Sequence, residues 1–174
     1  MVPIMSNALT VTTEEKLRRA DRLDLGPITF KLVHPEPDVE GVSITGAERA
    51  VMKYRRFLKL IVMYPEQVIV PSKEIDEVWH THILDTLKYP GDCERVFGFF
   101  LHHFPYLGTR GEEDKKGWLE SFETTCDLYE KHFGEDLQDS SLAEAQLPAG
   151  TCSGPCGGPD GGFMPRPRLR VASD

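Results

Sequence analysis

The chain has 174 residues, of which 40% are apolar and 28% are charged, and its formal net charge at pH 7 is −8. This length and composition suit one globular domain with its own hydrophobic core. The acidic balance argues against nucleic-acid binding, which needs a basic surface. No apolar stretch approaches the roughly 20 residues of a membrane-spanning helix, and the amino terminus lacks the pattern of a signal peptide. We therefore expect a cytoplasmic protein whose partner is another protein or a small molecule, with no nucleic-acid or membrane partner.

The amino-terminal third predicts a short helix followed by an irregular stretch. Thr12 or Thr13 can cap a helix that continues to about Leu23, because a hydroxyl at the cap accepts a hydrogen bond from a free backbone N–H. Gly26-Pro27 ends this helix, and residues 28–33 are expected to be extended. A loop rich in proline and acidic residues follows.

A second helix is predicted from Thr45 to about Met63. Thr45 followed by Glu48 has the spacing of a capping box, in which two side chains satisfy free N–H groups at the helix start. Apolar residues then recur at helical spacing. Pro65 stops this helix.

Three more helices are predicted in the remainder of the core. Ser72 can cap a helix over residues 73–88, which Tyr89-Pro90 breaks because the residue before proline avoids helical geometry. Proline also suits the first turn of a helix, so the next one is expected to extend from Pro90 to about Phe104. The last helix is predicted over residues 112–133.

These elements predict an all-α fold, a bundle of about five helices with short connections. The helical domain covers residues 1–137. Residues 138–174 are rich in glycine, proline and serine, and we expect them to form a flexible, disordered tail because they cannot bury enough apolar surface to offset their ordering entropy. The apolar spacing further predicts that six aromatic side chains are largely buried: Phe57, Trp79, Phe97, Phe100, Phe122 and Tyr129.

Four of the six histidines lie in two short segments, His80 with His82 and His102 with His103. Imidazole is a common ligand for transition metals and carries protons near neutral pH. At about 100° per residue, Asp76 and His80 share one helix face, whereas His82 points about 200° away from His80. Asp76 can therefore ligate a metal together with His80 or orient its imidazole.

A tight turn at residues 89–91 is expected to fold the following helix back, which brings His102 or His103 near Asp76 and His80. One carboxylate and two neutral imidazoles suit a divalent transition metal such as Zn, Fe or Cu. The predicted ligands are therefore Asp76, His80 and either His102 or His103, and His82 is expected to contribute through a hydrogen bond. Such a site could keep an open coordination position for catalysis, although no catalytic residue can be named.

An alternative hypothesis assigns these histidines to structure. His102 and His103 could stabilise the end of a helix through its dipole, and His80 or His82 could be a hydrogen-bonded interior residue. The chain would then be a non-catalytic interaction module whose tail recruits a partner. Cys152 and Cys156 are four residues apart in that tail and could bind a soft metal or form a reversible disulfide.

The same histidine stretch resembles a known family, the glycine-rich domain-containing proteins. The resemblance is carried by Asp76, Trp79, His80 and His82, followed by Tyr89, Asp92 and His102, and it covers roughly residues 45–135. The chain resembles a short, bacterial-type member of a family best known from plants. The resemblance implies importance of the histidine face without naming its chemistry. Some members have an RNA-binding segment, which this chain lacks.

Overall fold

The computed structural model describes residues 11–137, which contain six helices and no strand. In chain order the helices are α1 (Thr13–Asp21), α2 (Gly26–Val33), α3 (Ile44–Met63), α4 (Lys73–Leu84), α5 (Tyr89–Val96) and α6 (Glu112–Phe133). The predicted all-α class is confirmed, with one helix more than expected. The predicted tail, including Cys152 and Cys156, lies outside the described residues.

Helix α3 is the centre of the fold, since it packs against α1, α2, α4 and α6. Its buried face includes Tyr54, Phe57 and Leu58. It begins two residues earlier than the capping-box pattern predicted, because Ser43 rather than Thr45 is the cap: the Ser43 hydroxyl accepts the N–H of Gly46 at 3.1 Å.

Residues 28–33 are helical, so the prediction of an extended piece was wrong. Gly26-Pro27 does not end a helix here but begins α2, with proline in the first turn where its missing N–H costs nothing. Ile28 of this helix is buried in the core. Its burial depends on packing against other helices, which the sequence of residues 28–33 alone does not show.

Helices α4 and α5 are both shorter than predicted. Helix α4 ends at Leu84, and Asp85 forms a turn in which its backbone carbonyl accepts the N–H groups of Lys88 and Tyr89. Helix α5 begins at Tyr89 with Pro90 in its first turn, as expected, but it ends at Val96. Gly98 then takes a φ of 80°, which favours glycine and turns the chain out of the helix.

The aromatic core largely follows the prediction. Trp79, Phe57, Phe97 and Tyr129 are buried, and Phe122 packs against the core while remaining partly exposed. Phe100 is 42% exposed, so its predicted burial was wrong, because the chain has left the helix before it reaches this residue.

Two thiols are also part of the described core. Cys93 and Cys126 are buried, and neither forms a disulfide. Burial raises the pKa of both thiols, that of Cys126 to about 11.

Candidate metal centre

Helix α4 presents Asp76 and His80 one turn apart on the same face. The amino-terminal end of this helix is stabilised in two ways. The Ser72 hydroxyl accepts the N–H of Ile75, and the first turn carries acidic residues, whose negative charge suits the helix dipole. His80 Nε2 lies 3.5 Å from Asp76 Oδ2. This is the pairing that helical spacing predicted.

The third member of the cluster is His103, which comes from the irregular segment after α5. Leu101 and His103 turn toward the core, whereas Phe100 and His102 are exposed. Such alternation is typical of extended chain, where successive side chains point to opposite sides. The sequence left His102 and His103 as alternatives, and this alternation places His103 at α4.

The three side chains bring three potential ligand atoms together. His103 Nε2 is 2.9 Å from Asp76 Oδ1 and 3.2 Å from His80 Nε2. Ligand atoms that bind one zinc ion at about 2.0–2.2 Å in tetrahedral geometry lie about 3.3–3.5 Å apart, and the right angles of octahedral geometry shorten this to about 3 Å. The observed separations therefore have the size that a single transition-metal ion requires, and Asp76, His80 and His103 form a possible metal-binding cluster.

The cluster is closed toward the core and open toward solvent. The side chains of Asp76 and His103 are each 8% exposed, whereas that of His80 is 51% exposed. His80 turns toward Asp76 while one side of its ring remains in water. Two ligands are held by the protein interior and the third borders the solvent.

The remaining predicted residues lie elsewhere. The ring of His102 contacts that of Phe100 in a tilted arrangement, with ring centres 4.8 Å apart, and is not part of the cluster. His34 stacks on Phe30, and His132 hydrogen-bonds the Tyr64 hydroxyl at 2.7 Å. Both of these histidines are exposed.

His82 occupies a separate buried network behind the cluster. Its Nε2 is 3.1 Å from Asp92 Oδ2 and its Nδ1 is 3.0 Å from the Tyr54 hydroxyl. A neutral imidazole can donate Nε2–H to the carboxylate and accept the tyrosine proton at Nδ1, so both partners are satisfied. Burial lowers the pKa of His82 from its usual value, against the opposing effect of Asp92. The contacts of His82 therefore indicate a structural role, in which its ring satisfies the buried polar groups of Tyr54 and Asp92.

A second buried chain of hydrogen bonds holds the segment that carries His103. The Trp79 indole N–H donates to the Tyr89 hydroxyl at 2.9 Å, and that hydroxyl donates to the Leu101 carbonyl at 2.5 Å. The Trp79 ring also meets the His103 imidazole edge to face at 4.7 Å. Sequence reasoning missed the roles of Tyr54, Tyr89 and Asp92, and only the family resemblance, which includes Tyr89 and Asp92, gave a signal for two of them.

A cavity of about 350 Å³ lies away from this cluster. It is bordered by residues 66–68 and by α6, with Glu66, Glu120 and Thr124 in its wall. It shares no residue with Asp76, His80 and His103. The candidate centre is therefore an open surface site, distinct from this cavity.

The histidine cluster lies within a region that is shared with known proteins. The family described as UCP032817-like matches residues 31–145. The chain belongs to this family. It is also 33% identical over 91 residues to Glycine-rich domain-containing protein 1 of Arabidopsis thaliana and 34% identical over 92 residues to Glycine-rich domain-containing protein 2 of the same plant. The family resemblance seen in the sequence is confirmed.

These matches cover only part of the relatives. Each alignment spans 50% of this chain but 11% of the plant protein, so the matched half of the chain corresponds to about a tenth of each relative's length. No solved structure matches the chain. The short, bacterial-type form stays a prediction. Among residues 11–137, no helix is long and apolar enough to cross a membrane.

Proposed function

We propose that this member of the UCP032817-like family binds one divalent transition metal, Zn(II), Fe(II) or Cu(II), through Asp76, His80 and His103. The observation that supports it is the close approach of the three side chains: His103 Nε2 lies 2.9 Å from Asp76 Oδ1, and His80 Nε2 lies 3.2 Å from His103 Nε2 and 3.5 Å from Asp76 Oδ2. Two imidazoles and one carboxylate are ligands that each of these metals accepts.

The proposed centre has the character of a reactive rather than a closed structural site. Structural zinc sites use four protein ligands, whereas catalytic zinc sites use three and leave a position for water or substrate. The described residues supply three ligands, and the exposed side of His80 would leave room for a fourth from solution. The ligand count therefore favours a catalytic role over a purely structural one.

The test is metal content and affinity of the full chain purified without a histidine tag. We expect about one metal per chain for the parent. His80→Ala and His103→Ala remove a ligand and should lose most of the affinity. The hydrogen bonds of His82 go to Tyr54 and Asp92 and not to any of the three ligands, so His82→Ala should weaken binding less, by under about tenfold.

The matched control is His102→Ala, which deletes a histidine next to His103 that points away from the cluster. It should bind metal as the parent does. A parent that binds no metal, or a His80→Ala variant that binds as tightly as the parent, would refute the assignment. The chain would then be better described as an interaction module whose histidines are structural.

A further inference from the structure

Two strongly exposed leucines follow the proposed centre along the chain, at the end of α4 and in the turn after it. Leu84 is 80% exposed and Leu87 is 96% exposed, more than any other large apolar side chain in residues 11–137. Single exposed leucines are common on protein surfaces. These two, however, end α4 and occupy the turn after it, immediately beyond His80 in the chain.

The position of Leu84 relative to the proposed ligands follows from helix geometry. Asp76, His80 and Leu84 are spaced four residues apart, so they lie in one row along α4. Neighbours in such a row have Cβ atoms about 5–6 Å apart. An apolar surface therefore begins one turn from the most exposed ligand of the cluster.

The charge of the proposed centre indicates what would bind at its open side. A divalent ion held by one carboxylate and two neutral imidazoles keeps one net positive charge, which attracts an anionic donor. Asp76 and His103 are almost fully covered, so a ligand from solution would have to approach past His80. An apolar part that extended along α4 in the carboxyl-terminal direction would reach Leu84, one turn beyond His80.

We propose that the metal centre takes a small amphipathic ligand, in which an anionic oxygen donor coordinates the metal and an apolar chain lies against Leu84 and Leu87. This inference rests on the proposed metal binding and adds the chemical class of the ligand. The donor would be a carboxylate or a similar chelating oxygen anion. The apolar part would begin several bonds from the donor, as the one-turn spacing requires.

The experiment compares two hydroxamic acids on the Co(II)-loaded full chain, with the visible absorption of Co(II) reporting coordination. Acetohydroxamate has the donor alone, and octanohydroxamate adds an apolar chain of about six methylenes. A fully buried methylene contributes about 0.8 kcal/mol, or roughly fourfold in affinity. Partial burial on an open surface should therefore make octanohydroxamate bind at least about tenfold more tightly.

Leu84→Asn should reduce this difference to less than about threefold, and Co(II) affinity and acetohydroxamate binding should stay unchanged. The matched control is Leu119→Asn, which removes a leucine that is 51% exposed on α6 and should retain the full difference. Because both side chains are exposed, neither variant is expected to perturb folding.

The outcomes separate the two proposals. If the parent binds Co(II) but both hydroxamates bind equally, the ligand class is refuted and metal binding stands. The ligand class is also refuted if the tenfold difference survives in the Leu84→Asn/Leu87→Asn double variant. If the parent gives no Co(II) spectrum at all, the metal centre itself is refuted, and the amphipathic ligand with it.

Discussion

His82 and His132 both hydrogen-bond a tyrosine hydroxyl, but only His82 does so in the interior. His82 joins Tyr54 and Asp92, whereas His132 meets Tyr64 at the surface. Water can replace a lost partner at the surface but not in the core, where an unsatisfied group bears its full desolvation cost. The two histidines therefore offer a comparison in which burial is the main difference.

We predict that His82→Phe lowers the free energy of unfolding by about 2–4 kcal/mol, because the Tyr54 hydroxyl and one side of Asp92 lose their partner. Asp92 would keep its ion pair with Lys88, whose Nζ lies 2.8 Å from Oδ2, which limits the loss. His132→Phe should cost less than about 1 kcal/mol. Urea unfolding of both variants measures the two changes in the free energy of unfolding. Equal changes would show that the buried His82 network stabilises the fold no more than the exposed His132 pair does.

At the scale of elements, the turn after α5 decides where His103 lies. The end of α5 is held from outside, since Lys16 donates to the Phe97 carbonyl at 3.0 Å and Arg19 donates to the Arg95 carbonyl at 3.1 Å. Both donors come from α1, which packs against α5. These contacts satisfy carbonyls that a longer α5 would have used internally, and Gly98 can then reverse the chain.

We predict that Gly98→Ala lowers stability by about 1–2 kcal/mol, because an L-residue is strained at a φ of 80° even though no atom lies within 4 Å of the added Cβ. Gly117→Ala is the matched control, since it lies inside α6 and also has free space around the added Cβ. It should stabilise the chain by up to about 1 kcal/mol. Thermal unfolding of both variants is the measurement, and a neutral Gly98→Ala would contradict the strain argument.

The same turn shows what sequence reasoning could and could not reach. Helical spacing was sufficient to pair Asp76 with His80, to separate His82 from them, and to place α6 over residues 112–133. It could not choose between His102 and His103, because the choice depends on where α5 ends. That end is fixed by Lys16 and Arg19 from a distant helix and by Gly98, and contacts over such sequence separations leave no local periodicity.

At the scale of the whole molecule, the candidate centre joins helix α4 to the segment that follows α5. His103 is 27 residues from Asp76 in sequence, and α5 with its flanking turns lies between them. A metal bound at the cluster would therefore close this part of the fold in the way a crosslink does, in addition to the Tyr89 hydrogen bond to Leu101.

We predict that Zn(II) at about one hundred times its dissociation constant stabilises the native state by about 2.7 kcal/mol, because a ligand that binds only the folded chain shifts the unfolding equilibrium. For a chain of this size that corresponds to a rise in Tm of roughly 5–11 °C. The gain should be concentrated where the metal joins the chain, so hydrogen exchange at residues 97–104 should slow more than exchange in α6. His103→Ala should abolish both effects, and EDTA should reverse them in the parent. A rise in Tm that persists in His103→Ala would mean that Zn(II) acts at another site.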